Sequence, residues 1–338
     1  MRGERKESVA VVGAGAWGTA FAAMLAERHD DVSLWAFETE VCEDIRRRRE
    51  NRAFLPGVPL PAGVRPTNDL DAAIAGKSVV AFAVPSHHLR EVAHRAAPHL
   101  SREACLVSLA KGVENGTLRR MTELIAEASP AHASRVAALS GPTFAREVAE
   151  GKPTGATVAA ADLSLARRLQ HVLSGARFRV YADDDVVGIE IGGALKNVMA
   201  IAAGMCDGLG FGHNGRALLI SRGLAEIARL GVHLGAQRQT FAGLSGMGDL
   251  VLTCTGDLSR NRTVGVRVGR GEPLRAVLAG MTAVAEGVRT ARSAVDLSRR
   301  TGVPMPISEQ VDGILHEGKD AREVVTELFA RALKREKE

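Results

Sequence analysis

The sequence predicts an α/β N-terminal domain built on a parallel-rich sheet, followed by an all-α C-terminal domain. Three observations predict it. The stretch VAVVGAGAWG, Val9 to Gly18, runs a short apolar strand into glycines at the G-x-G-x-x-G spacing, and an apolar helical pattern begins directly after it. Further on, short and nearly continuous apolar runs alternate with helix-period segments, as parallel strands buried on both faces do. After Ala182 no strand-like alternation of any length remains, and the patterning is helical. The boundary is therefore placed at Asp183-Asp184-Asp185, giving units 1–184 and 185–338.

Taken in order, strand Val9–Val12, helix Thr19–Arg28 and strand Val32–Ala36 make a βαβ unit of Rossmann-like character. Each glycine has its own physical task. Gly13 makes the tight turn, Gly15 lets a pyrophosphate approach the backbone, and Gly18 lets helix and strand pack closely. The helix start adds free N–H groups and the positive end of its dipole. The unit is read as a site for NAD or NADP, with residues 1–184 as the cofactor-binding domain. Strands Ser78–Val84, Ala104–Leu109, Val136–Leu139, Thr154–Ala159 and Phe178–Ala182 follow. Helices are expected between them at His88–Ala97, Leu118–Ala128, Ala145–Glu150 and Leu163–Leu173.

Ligands of such sheets lie outside the carboxyl ends of the strands. That singles out Phe37-Glu38, Pro85-Ser86-His87, Lys111-Gly112 and Ser140-Gly141-Pro142-Thr143. Glu38 follows Gly18 at about the 20-residue distance at which an acid binds the adenosine ribose hydroxyls, which favours NAD over NADP. The run Arg46-Arg47-Arg48-Arg49 is the opposing feature, since it could meet a 2′-phosphate. Four consecutive positions circle most of a helix, however, and read as a solvated face. His87 and His88 read as capping or solvent-facing residues after Pro85. Position alone leaves Lys111 open between a crevice amine and a surface lysine.

In the second half, Val186 to Met205 is apolar almost all round, the pattern of a helix buried within its domain, yet it carries Lys196 midway. Its same-face neighbours Gly192, Gly193, Met199 and Ala200 offer no counter-charge. An unpaired buried ammonium is costly, so Lys196 meets an acid from elsewhere or faces a polar cleft. In a cleft, desolvation draws its pKa toward the range of a general acid/base, and this functional reading is favoured. The Gly192-Gly193 pair would let a ligand approach the helix. In LSGMGDLVLTCTGDLSRNR, residues 244–262, Asp249 suits a partly buried acid that pairs with Lys196. Ser259 is a good N-cap, with Arg260 and Asn261 in the first turn: a phosphate site, or a capped surface helix.

Composition narrows the function classes. The charged share of 25% and hydrophobic share of 46% are ordinary for a globular chain. Much of the net charge of +5 sits at the ends, in Arg2, Arg5, Lys6, Arg331, Lys334, Arg335 and Lys337. The remaining balance suits an anionic small molecule, and with 4% aromatics it argues against nucleic acid. Cys42, Cys105, Cys206 and Cys254 are scattered, so neither a disulfide framework nor a metal site is expected. The polar start and the interruption of the most apolar run by Lys196 and Asn197 argue against a signal peptide and a membrane span, and a cytoplasmic enzyme is expected.

Several segments together resemble the NAD(P)-dependent glycerol-3-phosphate dehydrogenase family in its bacterial soluble form. They are GAGAWGTA (13–20), NRAFLPG (51–57), VPS (84–86), KG (111–112) and SGPTFAREVA (140–149). GGALKNVMAIAAGMCDGLGFG (192–212), RGLAEI (222–227), GDLVLTC (248–254), SRNR (259–262) and VAEG (284–287) continue the series. The similarity spans about Val9 to Ala332. It implies reversible hydride transfer between NAD(P)H and dihydroxyacetone phosphate, serving glycerophospholipid synthesis, in a cytoplasmic homodimer without a metal. Under it Lys196 is the proton donor and acceptor, Lys111 a second active-site lysine touching substrate and cofactor, and Asn197, Asp249 and Thr253 complete the polar cluster. Arg260, with Ser259 and Asn261, holds the substrate phosphate and also approaches the cofactor, while Gly141 and Thr143 line the substrate side. Ala145, Val284 and Glu286 lie near the cofactor, and Ala16 and Trp17 fall in the glycine turn. One departure stands out: many bacterial members carry Arg or His where this chain has Phe37, and Phe37-Glu38 looks more like the NAD-linked animal enzymes. The rivals are a 2-dehydropantoate reductase-like or 6-phosphogluconate dehydrogenase-like enzyme, and a non-catalytic NAD(P) sensor.

Overall fold

The computed structural model describes residues 7–281, 284–330 and 335–336; of the terminal basic residues, Arg2, Arg5, Lys6, Arg331, Lys334 and Lys337 lie outside them. The chain begins β1 (Val9–Val12), α1 (Ala16–Leu25), β2 (Val32–Trp35), α2 (Thr39–Arg48), β3 (Glu50–Asn51), β4 (Leu55–Pro59), β5 (Val64–Thr67) and α3 (Leu70–Ile74). It continues with β6 (Val79–Phe82), α4 (Leu89–Ala96), β7 (Cys105–Ser108), α5 (Met121–Ala128), β8 (Val136–Ser140), α6 (Ala145–Ala149), β9 (Thr154–Ala160), α7 (Leu163–Leu173) and β10 (Phe178–Asp183). Helices alone follow: α8 (Val186–Gly208), α9 (Gly212–His233), α10 (Asp249–Thr255), α11 (Arg260–Gly269), α12 (Leu274–Ala279), α13 (Glu286–Thr301), α14 (Pro306–His316) and α15 (Ala321–Phe329).

Eight strands form one sheet in the order β10-β9-β8-β7-β6-β1-β2-β5. The period-2 geometry of a strand sends Val9 and Val11 to one core and Ala10 and Val12 to the other, so the sheet is covered on both faces. The sheet is parallel-rich, as expected, with one antiparallel pair: β8 pairs antiparallel with β9, which reverses β9 and β10 against the other six strands. The link from β8 to β9 carries only the five-residue α6, which packs on α1 instead of crossing back over the sheet. Patterning also missed β5 and the β3–β4 hairpin. Pro66 in β5 is tolerated because β5 is an edge strand, and β3 is only two residues long. Helix α1 starts at Ala16, one residue past Gly15, and not at Thr19.

The reversal of strand order between β6-β1 and β1-β2 opens a crevice past the carboxyl end of β1. The helical part packs around α8, which is buried from Gly188 to Met205. By length and composition α8 could cross a membrane, although Lys196 and Asn197 interrupt it. Its most apolar window is 89% buried inside the protein, which accounts for its character as a core helix. Its first turns also pack on the sheet, Ile189 lying against Ala138 and Ala159. Residues lodged at that junction are therefore held to both parts of the chain at once.

Candidate active site

A cleft of about 780 Å³ runs from the end of β2, past the glycine turn, to the middle of α8. At the turn, Gly13 has φ 116°, and a Cβ there would meet the Ala83 backbone at 2.9 Å. A Cβ on Gly18 would lie 1.9 Å from the Gly13 carbonyl oxygen, while Gly15 faces open space. Gly13, Gly15, Ala16 and Trp17 line the cleft; Gly18 does not, and its work is the close packing behind the turn. Trp17 packs on Phe21 and Phe178. These residues fit a dinucleotide, whose pyrophosphate needs backbone unobstructed by side chains at a helix start.

At the far end, three elements bring titratable groups together. Strand β7 runs through Leu109 and Ala110 into Lys111, while α8 carries Lys196 and α10 opens on Asp249 after a single π turn, Leu244–Gly248. Lys196 Nζ donates to Asp249 Oδ1 at 2.5 Å and to Thr253 Oγ1 at 2.8 Å. Lys111 Nζ donates to Asp249 Oδ2 at 2.7 Å, to the Gly141 carbonyl at 2.8 Å and to Thr143 Oγ1 at 3.3 Å. Asp249 is wholly buried and does not reach the cleft: it lies behind two amines that do. Burial draws the Lys196 pKa down to about 8; the Asp249 carboxylate pulls it back up, and the neighbouring Lys111 charge lowers it again. An amine so poised gives or takes a proton near neutral pH.

A second polar chain runs beside it. Asn261 Nδ2 donates to Asn197 Oδ1 at 2.9 Å, Asn197 Nδ2 reaches the Lys111 carbonyl at 3.4 Å, and Asn261 Oδ1 accepts from Gly287 N–H at 3.0 Å. Ser259 caps α11, its Oγ accepting from Arg262 N–H, and exposed Arg260 donates to the Val284 carbonyl at 3.4 Å. Glu286, on the cleft wall, accepts from Ser86 N–H at 3.0 Å and from its hydroxyl, and burial raises its pKa against those bonds. Thr143, Ala145, Asn197, Thr253, Ser259, Arg260, Asn261, Val284 and Glu286 all line the cleft. Gly141 does not, and enters only through its carbonyl on Lys111.

One sequence expectation is corrected here, and the two readings left open for the arginine run are separated. The Gly192-Gly193 pair does not clear the helix for a ligand. A Cβ at Gly192 would meet the Ser245 carbonyl oxygen at 2.7 Å, and one at Gly193 the Ser140 hydroxyl at 2.5 Å, so both glycines serve protein packing. The arginine run is engaged away from the cleft. Arg47 and Arg48 pair with Glu43 and Asp44, Arg46 leans on Cys42 Sγ, and Arg49 caps α2 and donates to the Val64 carbonyl. Phe37, 71% exposed, and Glu38 do line the cleft, past the end of β2. His87 is drawn down to about 4 by burial, ahead of its neighbours His88 and Arg289, and is neutral at pH 7. Sequence reasoning missed the wall made by His88, Glu91, Val92 and Arg95, whose spacing puts them on one side of α4 and its preceding turn. That 88/91/92/95 pattern after a strand end was the available signal. No group of three or more potential metal ligands occurs among the described residues.

Family models for the N-terminus and C-terminus of NAD-dependent glycerol-3-phosphate dehydrogenase match residues 8–166 and 185–326. A glycerol-3-phosphate dehydrogenase (NAD(P)+) of Geobacter sp. strain M21 is 54% identical over 331 residues, covering 98% of this chain and 99% of its own. The Myxococcus xanthus protein of the same name is 52% identical over 327 residues, covering 96% and 98%. Among solved structures, the glycerol-3-phosphate dehydrogenase of Coxiella burnetii superposes with a TM-score of 0.91 at 36% identity, covering 96% of this chain and 99% of that one. With a glycine turn, a cleft and paired lysines already in place, the two matches in sequence order leave one conclusion: the chain belongs to the NAD-dependent glycerol-3-phosphate dehydrogenase family.

Proposed function

We propose that the chain catalyses the reversible NAD(P)H-linked reduction of dihydroxyacetone phosphate to sn-glycerol 3-phosphate, for glycerophospholipid synthesis. The observation that carries this reading is Lys196, its pKa drawn down to about 8, on a cleft that runs from the glycine turn to Arg260. Gly13, Gly15, Ala16 and Trp17 would hold the pyrophosphate, Phe37 and Glu38 the adenosine, and Ala145, Val284 and Glu286 the walls of the cofactor cleft. A bound nicotinamide dinucleotide supplies or takes up the hydride. Lys196 gives its proton to the ketone oxygen as that oxygen gains charge, and removes the hydroxyl proton in the other direction. Lys111 adds a fixed positive charge beside the same oxygen, a kind of preorganised stabilisation that contributes about 3 kcal/mol. Asp249 acts from behind: one oxygen on each amine fixes both and raises the proton affinity of Lys196. Arg260, with Ser259 and Asn261, holds the substrate phosphate, and that remote binding energy positions the reacting carbon.

Residues 1–184 form the cofactor-binding domain and 185–338 the helical substrate and catalytic domain, with Lys111 reaching the substrate from the first and Val284 and Glu286 the cofactor from the second, in a cytoplasmic homodimer. Exposed Phe211 at the head of α9 and Leu218 within it are candidate dimer contacts, for sedimentation to test. Glu38 favours NAD as the better cofactor. The direct test is initial-rate reduction of dihydroxyacetone phosphate with NADH and NADPH side by side, against a panel including 2-dehydropantoate. Lys196→Met should lower kcat by about 10²- to 10⁴-fold while cofactor binding survives. Near-normal turnover would remove the lysine from the mechanism, and binding without turnover in the parent protein would mark a sensor instead.

A further inference from the structure

The end of the cleft away from Lys196 holds an arginine that neither the motif pattern nor the reaction accounts for. Arg95, on α4, lines the cleft together with Trp35, Phe37, Glu38 and Glu91. Its guanidinium lies 5.8 Å from the centre of the Trp35 ring, and Phe37 stands edge-on to the same ring at 6.2 Å. Glu91 is placed four residues earlier, yet no ion pair joins them, and Arg95 meets no carboxylate among the described residues. The other cleft arginines are committed elsewhere. Arg146 donates to the Pro56 carbonyl and pairs with Glu150, and Arg260 sits at the substrate end. The four-arginine run, which would be the obvious anion holder, is held away from the cleft by Glu43, Asp44 and the Val64 carbonyl. The strand-end position itself, Phe37, brings no charge, and Glu38 repels an anion.

We propose that Arg95 is the cofactor-specificity residue of this chain: from α4 it receives the ribose 2′-phosphate of NADP(H), offsetting Glu38. The chain thereby uses both cofactors. The inference rests on the reading of the cleft as a nicotinamide dinucleotide site. Arginine suits the task because its planar fork meets a phosphate in two hydrogen bonds while its face stays stacked on an aromatic ring. Glu38 would serve the 2′-hydroxyl of NAD(H), so the two cofactors are recognised by different residues of one pocket.

The test measures dissociation constants of NADH and NADPH, with 5′-AMP and 2′,5′-ADP as competing probes, for the parent protein, Arg95→Gln, Glu38→Gln and Arg46→Gln. Losing a charge-assisted phosphate contact is expected to cut the NADPH-to-NADH affinity ratio in Arg95→Gln by about tenfold or more. The advantage of 2′,5′-ADP over 5′-AMP should shrink in parallel, and both should grow in Glu38→Gln. Equal loss for both dinucleotides in Arg95→Gln would make Arg95 a general wall of the pocket and overturn the proposal. So would an unchanged ratio there with a fall in Arg46→Gln, which assigns the phosphate to the arginine run. A parent protein that binds NADH and not NADPH also overturns it. Failure to bind either dinucleotide would instead refute the reading of the cleft, and the proposal with it.

Discussion

Asp249 presents one carboxylate oxygen to each of two lysines, and the consequence is a proton equilibrium that can be read in solution. Burial lowers Lys196 to about 8 while Asp249 works in the opposite direction. Reduction of the ketone needs the protonated amine, so kcat/KM in that direction should be flat below pH 8 and fall above it. Oxidation needs the free amine and should rise through the same point. Asp249→Asn removes the charge that holds the proton on, leaving two amines side by side. The fall in the reductive profile should therefore move to lower pH, together with a drop in kcat. A reductive profile in Asp249→Asn unmoved or shifted upward would contradict the assignment. Sequence alone paired Lys196 with Asp249, because a lone ammonium in an apolar helix demands an acid. That Lys111 shares the same carboxylate was not legible, since three remote elements have to converge for it to happen.

At the scale of elements, the distance between the first turn of α11, which carries Arg260, and the Lys196 amine is set by how closely α11 crosses α8. The two helices meet backbone to backbone. A Cβ at Gly265 would lie 2.0 Å from the Ile201 carbonyl oxygen, and one at Gly204 2.1 Å from that of Arg262. Gly208 and Gly269, one turn on in each helix, repeat the approach at 2.4 and 2.7 Å. Gly265→Ala must push α11 outward. Overpacking of this kind costs about 1–3 kcal/mol, which denaturant unfolding would detect. Arg260 and Asn261 ride on the first turn of α11, so KM for the phosphorylated substrate should rise more than KM for NADH. Equal effects on both would place the disturbance elsewhere. The helix α8 was readable from its apolar circumference and the cap at Asp185, whose carboxylate accepts from Gly188 N–H. The glycines within it invited a ligand reading, and only packing shows that the Ser245 backbone and the Ser140 side chain fill the space.

Over the whole molecule, the sheet and the helical part are joined by buried polar contacts as well as by the chain itself. Glu190 of α8 accepts from Arg120 Nη1 at 2.7 Å, from Thr122 N–H at 2.8 Å and from the Thr122 hydroxyl at 2.6 Å, all at the start of α5. Its carboxylate is buried, which raises its pKa against the pull of Arg120. Across the cleft, Glu286 holds Ser86 in the same manner. Glu190→Ala would leave Arg120 with Glu123 as its carboxylate partner and two Thr122 donors at a buried helix start unpaired. A loss of about 3 kcal/mol is expected in urea unfolding, with the single transition broadening or splitting as the two parts uncouple. A change below about 0.5 kcal/mol, as for an ordinary surface substitution, would show that the seam holds without it.

What the sequence by itself determined is whatever short-range physics dictates: the strand–glycine–helix turn, the alternation that makes a doubly covered sheet, the apolar helix with its misplaced lysine, and the cap before Arg260. Each is a local pattern whose meaning survives in any context. Tertiary structure decided the rest. It reversed β9 and β10, placed the edge strand β5, withdrew Gly18, Gly141 and Asp249 from the cleft surface, turned the four arginines away and brought Arg95 in. Strand direction, side-chain destination and the sharing of one carboxylate depend on which elements become neighbours, and that follows from the burial of the whole chain rather than from any one segment.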